Sequence, residues 1–356
     1  MSADLTGRRL GHYQVDGVIG QGGMSVLYRA TDVRLGRQVA LKVMAGHLGD
    51  DPEFRERFAD EARNTSAIDH SHVVPLYDFG ETDGLLYIAM RYVEGPDLAS
   101  LIKTGPLAPG RALALLGQVA DALDSVHARG LVHLDVKPAN VLVTTRESAG
   151  IEHAYLADFG LTRRGATGHR TASGDFLGSP TYAAPEHLRG EPVDPRTDQY
   201  ALACVLFACL TGRAPFQGTV LEVIHGHFGA EVPAVSALVP LPRTVDAVVR
   251  RGLAGDPGAR FTSCRELVAA ARAALIARPG PGAAPIRPRP PGPPTQRRPG
   301  PPLPPPAPPG QPMRLRDPLP AQPASFAAGA RPHRWLIPVA LALAAVIVLV
   351  LVLSLG

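Results

Sequence analysis

The chain has 356 residues, 45% of them hydrophobic, with 36 Lys and Arg against 32 Asp and Glu, a net charge of +4. That apolar content supports a large core and excludes a fully disordered chain. Three cysteines, Cys204, Cys209 and Cys264, are an odd number in apolar context, which argues against a disulfide framework, and no Cys/His spacing suggests zinc.

The opening residues MSADLTGRRLGHY contain no apolar stretch of the signal-peptide kind. Alternating and β-branched residues then predict strands over Tyr13–Ile19, Val26–Ala30, Gln38–Met44 and Leu85–Tyr92, with a charged helix over Glu53–Ile68 before the last of them. The glycine-rich segment from Ile19 through Gly20, Gln21, Gly22, Gly23 and Met24 to Ser25 lies between the first two strands. Three glycines often make only a turn, but they also let backbone N–H groups approach phosphate oxygens. Lys42, in the apolar strand segment Val39-Ala40-Leu41-Lys42, would be costly to bury without an anion. Glu61 on the following helix is a candidate partner, and a snorkelling lysine is the plainer alternative.

Beyond Gly95 the pattern becomes helical. Residues Arg111–Arg129 place Leu113, Leu116, Val119, Leu123 and Val126 at three- and four-residue spacing, and Thr197–Leu210 is apolar almost all round. Between them, His133-Leu134-Asp135-Val136-Lys137-Pro138-Ala139-Asn140 is a loop, because Pro138 interrupts any helix. Asp158-Phe159-Gly160 begins eighteen residues after Asn140. Asn140 and Asp158 can converge on hard cations that bridge phosphate oxygens. Asp135 is then left to take a hydroxyl proton, and Lys137 to neutralise charge on a moving phosphoryl group. Those are the parts that in-line phosphoryl transfer requires.

Residues 278–334 hold 21 of the 37 prolines and nine arginines against one acid, Asp317, a net of +8. The remaining 27 basic and 31 acidic residues all lie in 1–277, which is therefore −4 and gives no reason to expect a nucleic-acid partner. The proline-rich stretch reads as an extended spacer, with docking to SH3- or WW-like partners or to anionic lipid as the functional alternative. Trp335–Leu355 is a run of 21 uncharged residues that would span ~31 Å as a helix. Flanking Arg331 and Arg334 predict a single membrane span with the N-terminal bulk in the cytoplasm and nothing substantial outside.

Across residues 11–276 the sequence resembles the protein kinase superfamily, and in particular bacterial eukaryotic-like serine/threonine kinases with one membrane anchor. GQGGMS resembles the Gly-rich loop, VALK the strand bearing the ATP lysine, HLDVKPAN the catalytic loop, DFG the metal loop, and Ala184-Pro185-Glu186 the end of the activation segment. The resemblance implies an α+β, bilobal fold with a small β-rich lobe and a larger helical lobe. It implies ATP with Mg2+ or Mn2+, Asp135 and Lys137 as catalytic residues, Asn140 and Asp158 as metal ligands, and Glu61 paired with Lys42. ATP would also meet residues 19–25, Val26 and Leu27. Met90 would guard the back of the adenine pocket, and the backbone of Arg91 to Val93 would meet the adenine edge. Ile19, Leu27, Ala40 and Leu142 would sandwich the ring. Asp198 would anchor the catalytic loop, and Arg260 would pair with Glu186.

Ser25, Leu27 and Arg91 depart from the usual pattern without expected effect. Leu134 replaces an arginine that gathers an activation-loop phosphate, so Thr171 and Ser173, which occupy the phosphosite positions, are not expected to switch activity. Ser179 matches the hydroxyl residue that contacts the catalytic aspartate. The implied partners are protein substrates, the membrane, and a second kinase domain paired through small lobes. The rivals are a nucleotide-binding pseudokinase scaffold, which would be expected to have lost one of Lys42, Glu61, Asp135, Asn140 or Asp158, and a small-molecule kinase.

Overall fold

The structure, a computed structural model, describes residues 4–23, 25–49, 51–146, 151–158 and 180–276. All belong to the first of two units into which the chain divides, Met1–Ile286 and Arg287–Gly356. The expected spacer at 278–334 and apolar span at 335–355 lie outside the described residues, as do Met24, Phe159, Gly160, Thr171, Ser173 and Ser179. Among the described residues no helix is long and apolar enough to cross a membrane.

The strands are β1 (Arg9–Leu10), β2 (Tyr13–Gln21), β3 (Ser25–Asp32), β4 (Arg37–Met44), β5 (Leu76–Thr82), β6 (Leu85–Arg91), β7 (Val141–Arg146) and β8 (Ile151–Leu156). The first six form one antiparallel sheet in the order β1-β2-β3-β4-β6-β5, and β7 and β8 form a separate hairpin. Alternation decides which side chains enter the small-lobe core. Tyr13, Val15, Tyr28, Ala30, Val39, Leu41 and Val43 share one face with Leu5, Leu10, Tyr87 and Ala89. The opposite phase of β4 turns Ala40 and Lys42 to the other face, where Met44 packs with Phe58 and Leu86. At the β5–β6 turn, Asp83 and Gly84 both have positive φ, as a two-residue hairpin requires.

The helices are α1 (Gly46–Gly49), α2 (Pro52–Ser66), α3 (Leu98–Lys103), α4 (Pro109–His127), α5 (Pro185–Arg189), α6 (Pro195–Thr211), α7 (Val220–Gly229), α8 (Val235–Leu238), α9 (Thr244–Gly252) and α10 (Cys264–Ile276). The bilobal expectation holds: a β-rich lobe with α2 precedes a helical lobe centred on α4 and α6. All five apolar residues expected to face inward from α4 are buried. Helix α6 starts at a capping box between Asp194 and Thr197, carries Pro195 in its first turn, and stops at Gly212 in the left-handed region. It is buried along nearly its whole length, so it forms the central post of the lobe. Cys204, Cys209 and Cys264 are reduced and buried, and burial pushes their thiols up, that of Cys209 to about 12.

One buried ion pair ties three segments to that post. Arg260 donates from Nη1 and Nη2 to the two carboxylate oxygens of Glu186 at 2.7 and 2.8 Å, from Nε to the Ala254 carbonyl, and from Nη1 to the Arg196 carbonyl. Thr197 Oγ1 donates to the same carboxylate, and the guanidinium lies 4.7 Å from the Tyr200 ring centre. Burial works against the Glu186 charge, but the Arg260 contact holds its carboxyl below the usual range. Removing one member of such a pair strands the other. Arg260→Ala should cost about 3–5 kcal/mol in urea unfolding. The Glu186 contribution should be present above its ordinary pKa and be lost as pH falls through its lowered folded value.

Candidate active site

The loop joining α4 to β7 carries His133, Asp135, Lys137 and Asn140, and its shape is imposed from below by α6. Asp198, in the first turn of α6 and 1% exposed, accepts the His133 N–H at 2.7 Å and the Leu134 N–H at 2.8 Å. Between them these bonds hold Leu134 at φ +65°, a costly conformation for a residue with a branched side chain. Burial alone would raise the Asp198 carboxyl, but hydrogen bonding from His127 and the nearby imidazoles hold it below its ordinary value. The expected anchoring role of Asp198 thus has a direct geometric counterpart.

His133 is fully buried, and its Nε2 donates to the Ala157 carbonyl at 3.2 Å. That tautomer leaves Nδ1 to accept the Asp135 N–H at 3.3 Å. The Ala157 N–H in turn donates to the Asn140 carbonyl at 2.8 Å, so the loop and the segment entering Asp158 are stitched together. Asp135 sits between two donors: Lys137 Nζ at 2.7 Å and Asn140 Nδ2 at 2.9 Å, both on Oδ2. Asn140 Nδ2 also donates to the Asp135 carbonyl, which fixes the orientation of its amide.

Asp158 also has positive φ, 64°, and its carboxylate bonds directly to Lys42 Nζ from β4. Burial opposes the Asp158 charge, but Lys42 and Lys137 hold its carboxyl below the ordinary range. Helix α2 contains Glu61 as expected; its side chain lies outside the described residues.

Above this group, the Gly-rich turn closes with a bond from the Gly22 N–H to the Ser25 carbonyl. Gly20, Gly22 and Gly23 have no positive φ, and a Cβ on any of them would meet nothing closer than 3.6 Å. Neither backbone shape nor packing within the chain demands glycine there, as befits a cradle for an anionic ligand. Gln21 and Ser25 bound the turn at the ends of β2 and β3, and Ile19 is 45% exposed before it.

Several of the residues expected around adenine lie together. Met90, Val93 and Leu142 pack on Val74, Tyr155 and Ala157, while Ala40 pairs with Met90 across β4 and β6. Leu27 is register-paired with Lys42. Arg91 directs its guanidinium towards the Tyr155 ring, 5.1 Å from its centre. Val26 is separated from this group: it packs against the small-lobe core, because strand alternation gives the opposite face to Leu27. Leu134 joins Val132 and Val193 in an apolar cluster.

Two contributors escaped the sequence reading. His127, in the last turn of α4, reaches Asp198 Oδ2 from Nε2 at 2.7 Å; a histidine at a helix C-terminus is too common to stand out in sequence. Gly95 has φ +144°, and a Cβ there would lie 2.1 Å from the Val143 carbonyl oxygen. Its sequence signal was the Gly-Pro pair after β6. Gly95→Ala should cost about 1–3 kcal/mol in backbone strain and displace β7 beneath the pocket. Nucleotide titration should show weaker binding, and unchanged affinity would separate Gly95 from the site.

Comparison with known proteins gives the same reading. A model of the protein kinase domain matches residues 13–270. The serine/threonine-protein kinase PknE of Mycobacterium tuberculosis is 43% identical over 271 residues, covering 76% of this chain and 47% of the relative. PknH of the same organism is 41% identical over 272 residues, covering 76% and 43%. The chain therefore spans about half the length of these curated relatives. The crystal structure of the Mycobacterium tuberculosis PknI kinase domain superposes with a TM-score of 0.61 at 34% identity, covering 75% of this chain and 97% of that one. The chain belongs to the protein kinase domain family.

Proposed function

We propose that this chain is a serine/threonine protein kinase that transfers the γ-phosphoryl group of ATP to hydroxyl groups of proteins, its own among them. The observation that carries the reading is the convergence of Asp135, Lys137, Asn140, Asp158 and Lys42, with a glycine turn on which added Cβ atoms would meet no close contact. In the proposed reaction, the substrate hydroxyl oxygen bonds to the γ-phosphorus as the bond to the bridging oxygen breaks. ADP leaves, and the hydroxyl proton passes to Asp135. Lys137, 2.7 Å from Asp135, lies where it can meet charge on the transferring group. Lys42 would hold the phosphates of bound nucleotide, exchanging its present partner Asp158 for them.

Asn140 and Asp158 supply an oxygen-only donor set, with the Asn140 amide oriented by its two bonds to Asp135. That chemistry suits Mg2+ or Mn2+, which would neutralise phosphate charge when bound. Lys137 two residues after Asp135 supports serine and threonine as acceptors. The test is transfer from labelled ATP to a generic basic protein by the full chain. Asp135→Asn should reduce it by about 10²–10⁴-fold; undiminished transfer would overturn the assignment.

The apolar packing of Leu134 with Val132 and Val193 leaves no cation at that position for a phosphate on Thr171 or Ser173. The double variant Thr171→Ala, Ser173→Ala should therefore retain most of its activity towards an exogenous substrate. Loss of most of it would refute phosphate-independent action.

We further propose that residues 335–355 anchor the kinase to the cell membrane in a single pass, with its catalytic part cytoplasmic. The 21 uncharged residues and the +8 stretch before them support this. The full chain should sediment with membranes and resist carbonate extraction, whereas residues 1–277 should not. Full-length protein in the soluble fraction would remove the anchor. Pairing of small lobes in a homodimer belongs to the same reading, and Val33 and Leu35, at the turn between β3 and β4, are apolar side chains exposed on that lobe.

A further inference from the structure

Helix α10 packs against α4 and α6, and a line of charged groups joins its N-terminus to the catalytic loop. Asp124 accepts the first two N–H groups of α10, Cys264 N on Oδ1 at 2.9 Å and Arg265 N on Oδ2 at 3.1 Å. Its Oδ1 also lies 3.8 Å from Nδ1 of His127, one turn on along α4. The other ring nitrogen of His127 meets Asp198 at 2.7 Å, and Asp198 holds the amides of His133 and Leu134. The next residue is Asp135. A single imidazole therefore faces two carboxylates, one capping α10 and one fixing the catalytic loop.

We propose that Asp124, His127 and Asp198 form a charged relay through which the N-terminus of α10 positions the catalytic loop, so that this helix is an input to catalysis. This rests on the kinase reading above. Asp124 and His127 act as positioning residues and touch no substrate. Three observations support the coupling. The Leu134 backbone is strained and needs its restraint. The Asp198 carboxylate is buried and needs a counter-charge. And the group that supplies the counter-charge is shared with the cap of α10 rather than with the loop itself.

Burial opposes the His127 charge, but the bonds to Asp124 and Asp198 raise its pKa to about 9. The ion pairs are therefore fully present below the ordinary value near 6.5 and are lost as pH rises through about 9. The charged groups that face its ring are Asp124 from α4 and Asp198 from α6, and Cys264 from α10 lies against both carboxylates. His133 of the catalytic loop also acts on Asp198. Arg265 bonds Asp121 at the exposed rim and lies 3.9 Å from Asp124.

The test uses the full chain and reads kcat and the KM for ATP against pH, with amide hydrogen exchange at 264–266 in the presence and absence of a non-hydrolysable ATP analogue. Wild-type kcat should fall as pH passes about 9. Asp124→Asn removes an anion from His127, so the alkaline limb should move down by about one pH unit or more. At neutral pH the affinity for the ATP analogue should fall roughly tenfold, and kcat should fall with it. Coupling is reciprocal, so the analogue should slow exchange at 264–266 in wild type and not in His127→Gln. Folded variants with an unmoved alkaline limb, or protection that persists in His127→Gln, would overturn the relay. If Asp124→Asn does not fold, the wild-type exchange measurement decides: no protection at 264–266 refutes the proposal. Absence of transfer by wild type at every pH would instead refute the kinase reading.

Discussion

The structure of the catalytic centre depends on one buried anion. Asp198 sits in the first turn of α6, the helix around which the large lobe is packed, and spends both oxygens on the backbone of the loop that carries Asp135, Lys137 and Asn140. Without those bonds, Leu134 has no reason to stay at positive φ, and Asp135 loses the platform that directs it. The rest follows from where α6 is fixed. Its N-terminus is held by the capping box and by Arg260 and Glu186, which bind the segment after α9 and the helix α5 to the same place. A rigid post, a loop hung from its end and a strand lying over the loop together set the position of each acidic and basic group.

The small lobe contributes by contrast with very few polar contacts. Lys42 reaches the site because β4 alternates, giving Val39, Leu41 and Val43 to the core and leaving Ala40 and Lys42 on the opposite face. The same parity removes Val26 from the pocket and admits Leu27. Where the lobes join, apolar side chains from β6, β7 and β8 pack together, and Gly95 permits the chain to pass close above β7. The apolar cluster is shared between the lobes, Lys42 comes from the smaller one, and Asp135, Asn140 and Asp158 belong to the larger one.

Much of this was legible in the sequence. The long helix α4 announces itself through apolar periodicity, α6 through an almost unbroken apolar run, and β2, β3, β4 and β6 through alternation. Loop chemistry was legible because Asp135, Lys137, Asn140 and Asp158 keep short fixed spacings. Other parts were not. Strand β5 contains Asp78, Gly80 and Glu81, which weaken its alternation although Asp78 has a structural task, accepting the hydroxyls of Tyr13 and Tyr87. The strands β7 and β8 are only six residues each and follow the catalytic loop directly, so they do not stand out as a separate hairpin. The link between α4 and α10 spans 140 residues and rests on a carboxylate meeting backbone N–H groups. Such a bond leaves no pattern in side-chain identity, and charge spacing along α4 points only outward.

The buried cysteines have a practical consequence. All three thiols of the chain are enclosed in the large-lobe core, and their acidity is suppressed by that enclosure. Thiolate is the species that alkylating reagents and peroxides attack, so the native fold offers them almost nothing. Electrophilic inhibitors designed around cysteine capture have no foothold here. Conversely, a single cysteine engineered onto the surface of either lobe can be labelled in an otherwise wild-type background. Fluorophore or spin-label pairs across the cleft then become available without first stripping native thiols from the core that they help to fill.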